Sequence, residues 1–245
     1  MRPLRPILAI LGVIVFGGIA AYASRPAPAV SAAQSARPAA TADAGNVASA
    51  DPAAGPGRRA LDEDRADLRS VIVAGLLLPV ESAELPTDAE ALPGAPRDYR
   101  GGSHEGIDFA APTGAPVRAV AAGTIIRVDH EFTDWDQAER EAALAEAQAL
   151  GYTPARTLDR IRGRQVWIAH GRGLVSRYAH LEGVAELAPG QEVAAGTVIG
   201  TVGSSGYPEG GPHLHLEIRI GRSYLGEGLS GETLSGTLSA AFGPR

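Results

Sequence analysis

GPHLHLEIRI, residues 211–220, alternates polar and apolar side chains without a break from His213 onward. Side chains on a strand change face with period two, so Leu214, Leu216, Ile218 and Ile220 share one face and make an apolar row suited to a core. His213, His215, Glu217 and Arg219 share the other. Taken alone, that polar face has two readings. It is either a solvated surface or a place where two imidazoles are needed side by side.

The segments around this one also read as strands. PVRAVAAGTIIRVD (116–129), RQVWIAHGRG (164–173), GLVSRYAHL (173–181) and QEVAAGTVIGTVG (191–203) are short, rich in Val and Ile, and punctuated by Gly at intervals of about ten residues, as in a sandwich or barrel. VIVAGLLLPV (71–80) reads as a buried strand brought to its end by Pro79, preceded by a short helix over 61–70 and followed by an irregular stretch over 81–103. One stretch, 132–164, breaks the β pattern. Thr133 can cap a helix that Gly151 ends, with Trp135, Ala138, Ala142, Ala145 and Ala149 along one face, and Thr153-Pro154 opens a second helix closed by Gly163. The expectation is a helical hairpin over about 133–163, inserted between two strands as a brace or as a wall beside a groove.

Composition narrows the partners. The net charge is −6 and all 22 basic residues are arginines, with no basic run, so the chain carries no electrostatic footprint for nucleic acid. Cysteine is absent, which excludes disulfides, thiolate metal sites and cysteine nucleophiles. Any metal must be held by nitrogen and oxygen. At the N-terminus, Arg2 and Arg5 precede an uncharged, mostly apolar run from Ile7 to Tyr22, and Ala21-Tyr22-Ala23 matches a cleavage pattern. Residues 1–23 are expected to act as a cleaved signal peptide or as a membrane anchor through 7–23, and either places the rest outside the cytoplasm. Residues 24–58, rich in Ala, Pro, Ser and Gly and almost without large apolar side chains, read as a disordered linker, and residues 59–245 as the folded domain.

Six histidines occur. His104 lies in GGSHEGIDFA, four residues before Asp108, and on an extended segment that spacing keeps both side chains on one face. His180 ends the strand SRYAHL, while His130 and His170 sit at loop positions where a structural role is expected. Together the segments offer imidazoles and a carboxylate from remote parts of the chain. Three N/O ligands with a fourth position open describe a catalytic zinc site rather than a structural one.

Residues from about 76 to 226 resemble the lysostaphin/LytM-type zinc endopeptidases that cut peptidoglycan cross-links. The resemblance is carried by HEGID (104–108), the IAHGRG and RYAHL segments within 168–181, APGQEVAAGTVIGTVGSSG (188–206) and HLHLE (213–217), in the order that family has them. It implies a mainly β domain of the barrel-sandwich (duplicated hybrid motif) type, built of antiparallel strands and here carrying the helical insertion. It implies one Zn2+ held by His104, Asp108 and His215, with His180 and His213 as catalytic histidines that are not ligands. Peptidoglycan peptides are the implied substrate. Glu217 then has two roles open to it, orienting an imidazole or pairing with Arg219. The insertion and the stretch Ser205–Gly211 are longer than the family pattern, and both are placed to border the groove.

Two other readings are open to these motifs. A degenerate relative that has lost its metal and activates a separate cell-wall amidase would lack ligands, and this chain lacks none. APGQEVAAGTVIGTVG also resembles part of a biotinyl or lipoyl carrier domain, but such carriers need a lysine and the chain has none.

Overall fold

The computed structural model describes residues 73–81 and 83–243. The expected leader, linker and short helix over 61–70 lie outside these residues. Among the described residues, ten strands form two antiparallel sheets. In chain order they are β1 (Ile107–Ala110), β2 (Pro116–Arg118), β3 (Gly123–Val128), β4 (Val166–Ala169), β5 (Leu174–Ala179), β6 (Leu181–Val184), β7 (Glu192–Val193), β8 (Val198–Val202), β9 (His213–Ile220) and β10 (Ser223–Tyr224). The larger sheet runs β1-β9-β5-β4-β3-β7, with β10 also paired to β9, and the smaller runs β2-β8-β6. The expectation of a mainly β, antiparallel fold holds.

β9 is the interior strand on which the larger sheet is organised. Its apolar row behaves as the alternation predicts, with Leu214, Leu216, Ile218 and Ile220 all buried. Leu214, Leu216 and Ile218 pack with Ile107 and Phe109 of β1, Ile125 of β3, Ile168 of β4 and Ile199 of β8 in one core. Tyr178 of β5 is fully buried among them, and its hydroxyl accepts the Val120 N–H at 2.8 Å and lies 3.0 Å from Ser176 Oγ. Burial pushes the Tyr178 phenol up to about 12, so it stays protonated at any physiological pH.

The helical hairpin is present between β3 and β4 as α1 (Gln137–Leu150) and α2 (Ala155–Arg162). Gly151 ends α1 in the left-handed conformation, at φ 72°, as expected of a glycine C-cap. The N-cap is Asp136 rather than Thr133: its carboxylate accepts the Glu139 N–H at 2.8 Å. Asp134 and Trp135, inside the expected first turn, instead reach across to Gly206, Asp134 accepting its N–H at 2.6 Å and Trp135 donating to its carbonyl at 3.3 Å. The inward face also differs from the expected alanine stripe. Arg140, Ala143, Leu144 and Ala147 turn inward, while Ala138, Ala142, Ala145 and Ala149 are exposed. Ala147 presses its backbone so closely on Gly101 that a Cβ there would meet its carbonyl at 2.7 Å.

Two further departures concern the ends of the domain. The described part of the 71–80 run does not form the expected strand. Leu76 donates to Ala241 O and Leu77 to Val120 O, and only Val80 makes a bridge, to Val117. Pro79, lacking an N–H, caps the segment as an edge that accepts from Arg118. A C-terminal helix, α3 (Gly231–Phe242), closes the core from this side with Leu234, Leu238, Ala241 and Phe242 buried, and Phe242 meets Phe109 edge-on at 6.2 Å.

Replacing Tyr178 by Phe leaves the buried Val120 N–H without an acceptor. We expect a loss of about 1–3 kcal/mol in unfolding free energy, read from urea denaturation, with little change in the m-value.

Candidate metal centre and active site

The pairing of β9 brings the remote residues together. On one side β1 sets Asp108 directly opposite His215, and on the other β5 sets Ala179 opposite the same histidine. Side chains directly opposite on an antiparallel pair stand about 4.5–5.5 Å apart at Cβ, within reach of each other's polar ends. His104 lies three residues before the start of β1 and closes the set.

Three atoms converge. His104 Nε2 lies 3.0 Å from Asp108 Oδ1 and 3.0 Å from His215 Nδ1, and His215 Nδ1 lies 2.8 Å from Asp108 Oδ1. The outer contacts of both rings determine what these atoms are. His104 donates its Nδ1–H to Leu92 O at 2.9 Å, and His215 donates its Nε2–H to Glu217 Oε1 at 3.2 Å. The tautomers that follow turn a lone pair of each ring toward the carboxylate. Three lone-pair atoms aimed at one point repel unless a cation lies among them. A small divalent ion held tetrahedrally at about 2.0–2.1 Å spaces its ligand atoms by about 3.3 Å, close to the triangle seen. The residues therefore fit a metal ion, and these three form the one cluster of this kind among the described residues.

The electrostatics agree with that donor set. Burial of Asp108 disfavours its charge, but the contacts with His104 and His215 outweigh burial and hold the carboxyl far below its ordinary range. Burial also lowers His104, keeping it the neutral imidazole a metal needs. His215 goes the other way. Burial opposes its charging, yet Asp108 and Glu217 flank the ring and raise it to about 9, so a proton competes for this place when no metal is present.

His180 and His213 stand beside this triangle. Their rings are 4.7 Å apart, and His180 is 5.7 Å from His215. His180 donates Nδ1–H to Ser205 O and His213 donates Nδ1–H to Gly211 O, both at 2.9 Å, which leaves each Nε2 as the lone-pair nitrogen. His213 Nε2 is 4.0 Å from Asp108 Oδ1. His180 is also the pivot between the sheets, because β5 ends at Ala179 in the larger and β6 begins at Leu181 in the smaller. The turn requires φ 60°, uncommon for a residue with a Cβ and a mark of local strain, and the His180 N–H is held by Arg162 O at 2.8 Å. Burial, reinforced by His213 and His215, lowers His180 to about 3.

The structure places His130 and His170 away from these five residues. His130 Nε2 meets Leu187 O at 2.7 Å, and His170 bridges Ala122 O and Ser176 Oγ. Other groups that sequence reasoning missed do border the site. Arg97 lies 3.4 Å from Asp108 Oδ2, and Tyr99 and Tyr207 stack across the mouth with ring centroids 5.4 Å apart. Leu158, Ile161 and Arg162 of α2 line the same pocket. An arginine four residues after Leu158, on the inward stripe of a short helix, was the available signal for Arg162.

Convergent lone pairs on an antiparallel β frame define a metal-binding domain with an open side flanked by imidazoles. Residues 102–226, a span that includes all five of these residues, match peptidase family M23, and the chain belongs to that family. It is 38% identical over 117 residues to a DD-carboxypeptidase/endopeptidase of Neisseria meningitidis, covering 48% of this chain and 20% of the relative. It is 27% identical over 118 residues to a peptidoglycan DD-endopeptidase of Vibrio cholerae, covering 48% and 20%. The chain thus matches about a fifth of the length of these curated relatives. Among solved structures, a zinc-containing peptidase from Vibrio cholerae aligns with TM-score 0.44 at 25% identity, over 61% of this chain and 38% of the other. The catalytic domain of a prophage-encoded M23 protein from Enterococcus faecalis aligns with TM-score 0.40 at 25% identity, over 61% and 92%.

Zn2+ added at 100 times its dissociation constant is expected to stabilise the protein by about 2.7 kcal/mol, visible as a rise in melting temperature that a chelator reverses. In His104→Ala the rise should vanish while the melting curve without metal stays cooperative.

Proposed function

We propose that the protein is an exported zinc-dependent endopeptidase that hydrolyses peptide bonds in peptidoglycan. The observation that carries this reading is the convergence of His104 Nε2, Asp108 Oδ1 and His215 Nδ1, with the lone-pair nitrogens of His180 and His213 beside it. Its relatives, named as DD-endopeptidases acting on peptidoglycan, support the substrate class. The basic and apolar character of residues 2–22 supports export, with the leader either cleaved or kept as an anchor.

In this reading His104, Asp108 and His215 hold one Zn2+. The ion supplies Lewis acidity, bringing a water proton into reach near neutral pH and polarising a carbonyl. His180 and His213 then handle protons. Each is fixed by its Nδ1–H on a backbone carbonyl, so each presents Nε2 to accept a proton from water, donate one to the leaving amine, or hydrogen-bond a developing oxyanion. Glu217 keeps His215 in the tautomer that offers Nδ1. A role as a metal-free activator of an amidase is disfavoured, because such a role does not require a complete donor set.

Digesting purified sacculi with the protein and identifying the new termini by mass spectrometry tests the reading. Release of peptides that stops on chelation, and a fall of about 10²–10⁴-fold in kcat for His180→Ala and for His213→Ala with zinc still bound, are expected. A zinc-loaded protein that frees nothing from any wall rules out this substrate class.

A further inference from the structure

The inserted hairpin delivers a charged side chain to the underside of the metal centre. Arg162, the last residue of α2, is buried, and its Nε donates to Glu217 Oε1 at 2.6 Å. That oxygen is the one that receives the His215 Nε2–H, and Glu217 has no exposed surface. Arg162 Nη2 donates at 2.8 Å to Glu105 Oε2, which also receives Arg219 Nη1 at 2.8 Å. The guanidinium therefore ties Glu217, next to one metal-facing residue in β9, to Glu105, next to another ahead of β1.

Other cations near Glu217 do not duplicate this contact. Arg177 and Arg219 each approach Glu217 Oε2 at 3.5 Å, the outer limit of a hydrogen bond, and neither touches Oε1. Arg177 is held over the Trp167 ring at 3.9 Å. The position of Arg162 is itself well determined. Gly163 follows it at φ 67°, where an added Cβ would meet Ser205 O at 2.2 Å, so the chain passes this point only with glycine. The carbonyl of Arg162 holds the His180 N–H.

We propose that Arg162 is a positioning residue for the metal centre, acting on His215 through Glu217, so that the helical insertion is part of the metal-holding apparatus. This rests on the reading that His104, Asp108 and His215 bind zinc. A carboxylate free to turn no longer dictates which imidazole nitrogen carries the proton. The ring that must present Nδ1 then samples the wrong tautomer and orientation. Lysine cannot reproduce the contact, since a single ammonium cannot donate along both directions of the guanidinium fork.

The test compares full-length wild type, Arg162→Met, Arg162→Lys, Glu217→Gln and the Arg162→Met/Glu217→Gln double variant, with Arg156→Ala on the exposed side of α2 as control. Zinc affinity is measured by competition with a chromophoric chelator, and the coordination by the visible bands of the Co2+-loaded protein. Arg162→Met should weaken zinc binding by about 10–100-fold and shift the Co2+ bands, Arg162→Lys should fall between, and Arg156→Ala should match wild type. On the Glu217→Gln background, Arg162→Met should cost no further affinity. Wild-type affinity and unchanged bands in Arg162→Met overturn the proposal, as do losses that multiply in the double variant. If circular dichroism shows Arg162→Met unfolded, Arg162→Lys decides, and wild-type affinity there overturns the proposal too. A wild-type protein that binds no zinc removes the metal reading itself, a different result from a zinc-binding protein indifferent to Arg162.

Discussion

The site depends on the register of one strand. β9 is paired on both edges, and its alternation divides core from chemistry: Leu214, Leu216, Ile218 and Ile220 go down, His213, His215, Glu217 and Arg219 go up. A slip of one residue would exchange the two sets, carrying four polar side chains into the core. The burial of the lower row thus holds the upper row in place. Because β1 and β5 are matched to the same strand, Asp108 opposite His215 and His180 just beyond its other neighbour follow from that single register. Hydrophobic packing, which is itself non-directional, becomes positional accuracy at the metal centre through the pleat.

The polar face of β9 then has to be covered. Glu217 is a fully buried carboxylate, and leaving such a charge unpaired costs several kcal/mol. Burial opposes its ionisation, but the His215 contact and the charges of Arg162 and Arg219 outweigh it and hold the group at about 2. α2 supplies the closest of these partners and, by the same turn, the backbone carbonyl that steadies His180. The choice between brace and wall posed by the sequence is therefore a false one. Trp135 and Asp134 brace the hairpin against Gly206, while Leu158, Ile161 and Arg162 line the pocket.

What could be read from the sequence is what short-range periodicity encodes. Alternation identified the two faces of β9, and the spacing of His104 and Asp108 put both on one side of an extended segment. The inward face of α1 was misread because alanines occupy nearly every side of it, and alanine is compatible with either exposure. Leu144 and Arg140 on the true inward stripe were outvoted by number. The 71–80 run was misread for a related reason: apolar character does not show whether a sheet edge is free to accept a segment, and in its described part Leu77 and Leu78 stay exposed while Leu76 and Val80 are buried. Arg162 and Glu217 are 55 positions apart, and a contact at that separation leaves no local pattern. The same holds for the stack of Tyr99 on Tyr207, which brings together two segments more than 100 positions apart.

The arrangement of carboxylates has a consequence for reactivity. Three of them, Glu105, Asp108 and Glu217, lie around the centre, yet only Asp108 turns toward the metal-facing triangle. Glu105 and Glu217 are turned away, the first to Arg162 and Arg219, the second to Arg162 and to the far nitrogen of His215. Their charges are neutralised locally by guanidinium groups that do not lose a proton under any physiological condition. Two neutral imidazoles and one carboxylate leave a divalent ion with a net positive charge. A second or third carboxylate on the ion would cancel it and with it the pull on a carbonyl oxygen or on water. By committing the surplus acids to arginines, the chain keeps this donor set weakly anionic in a region dense with acidic side chains, and a divalent ion held by it would stay electrophilic.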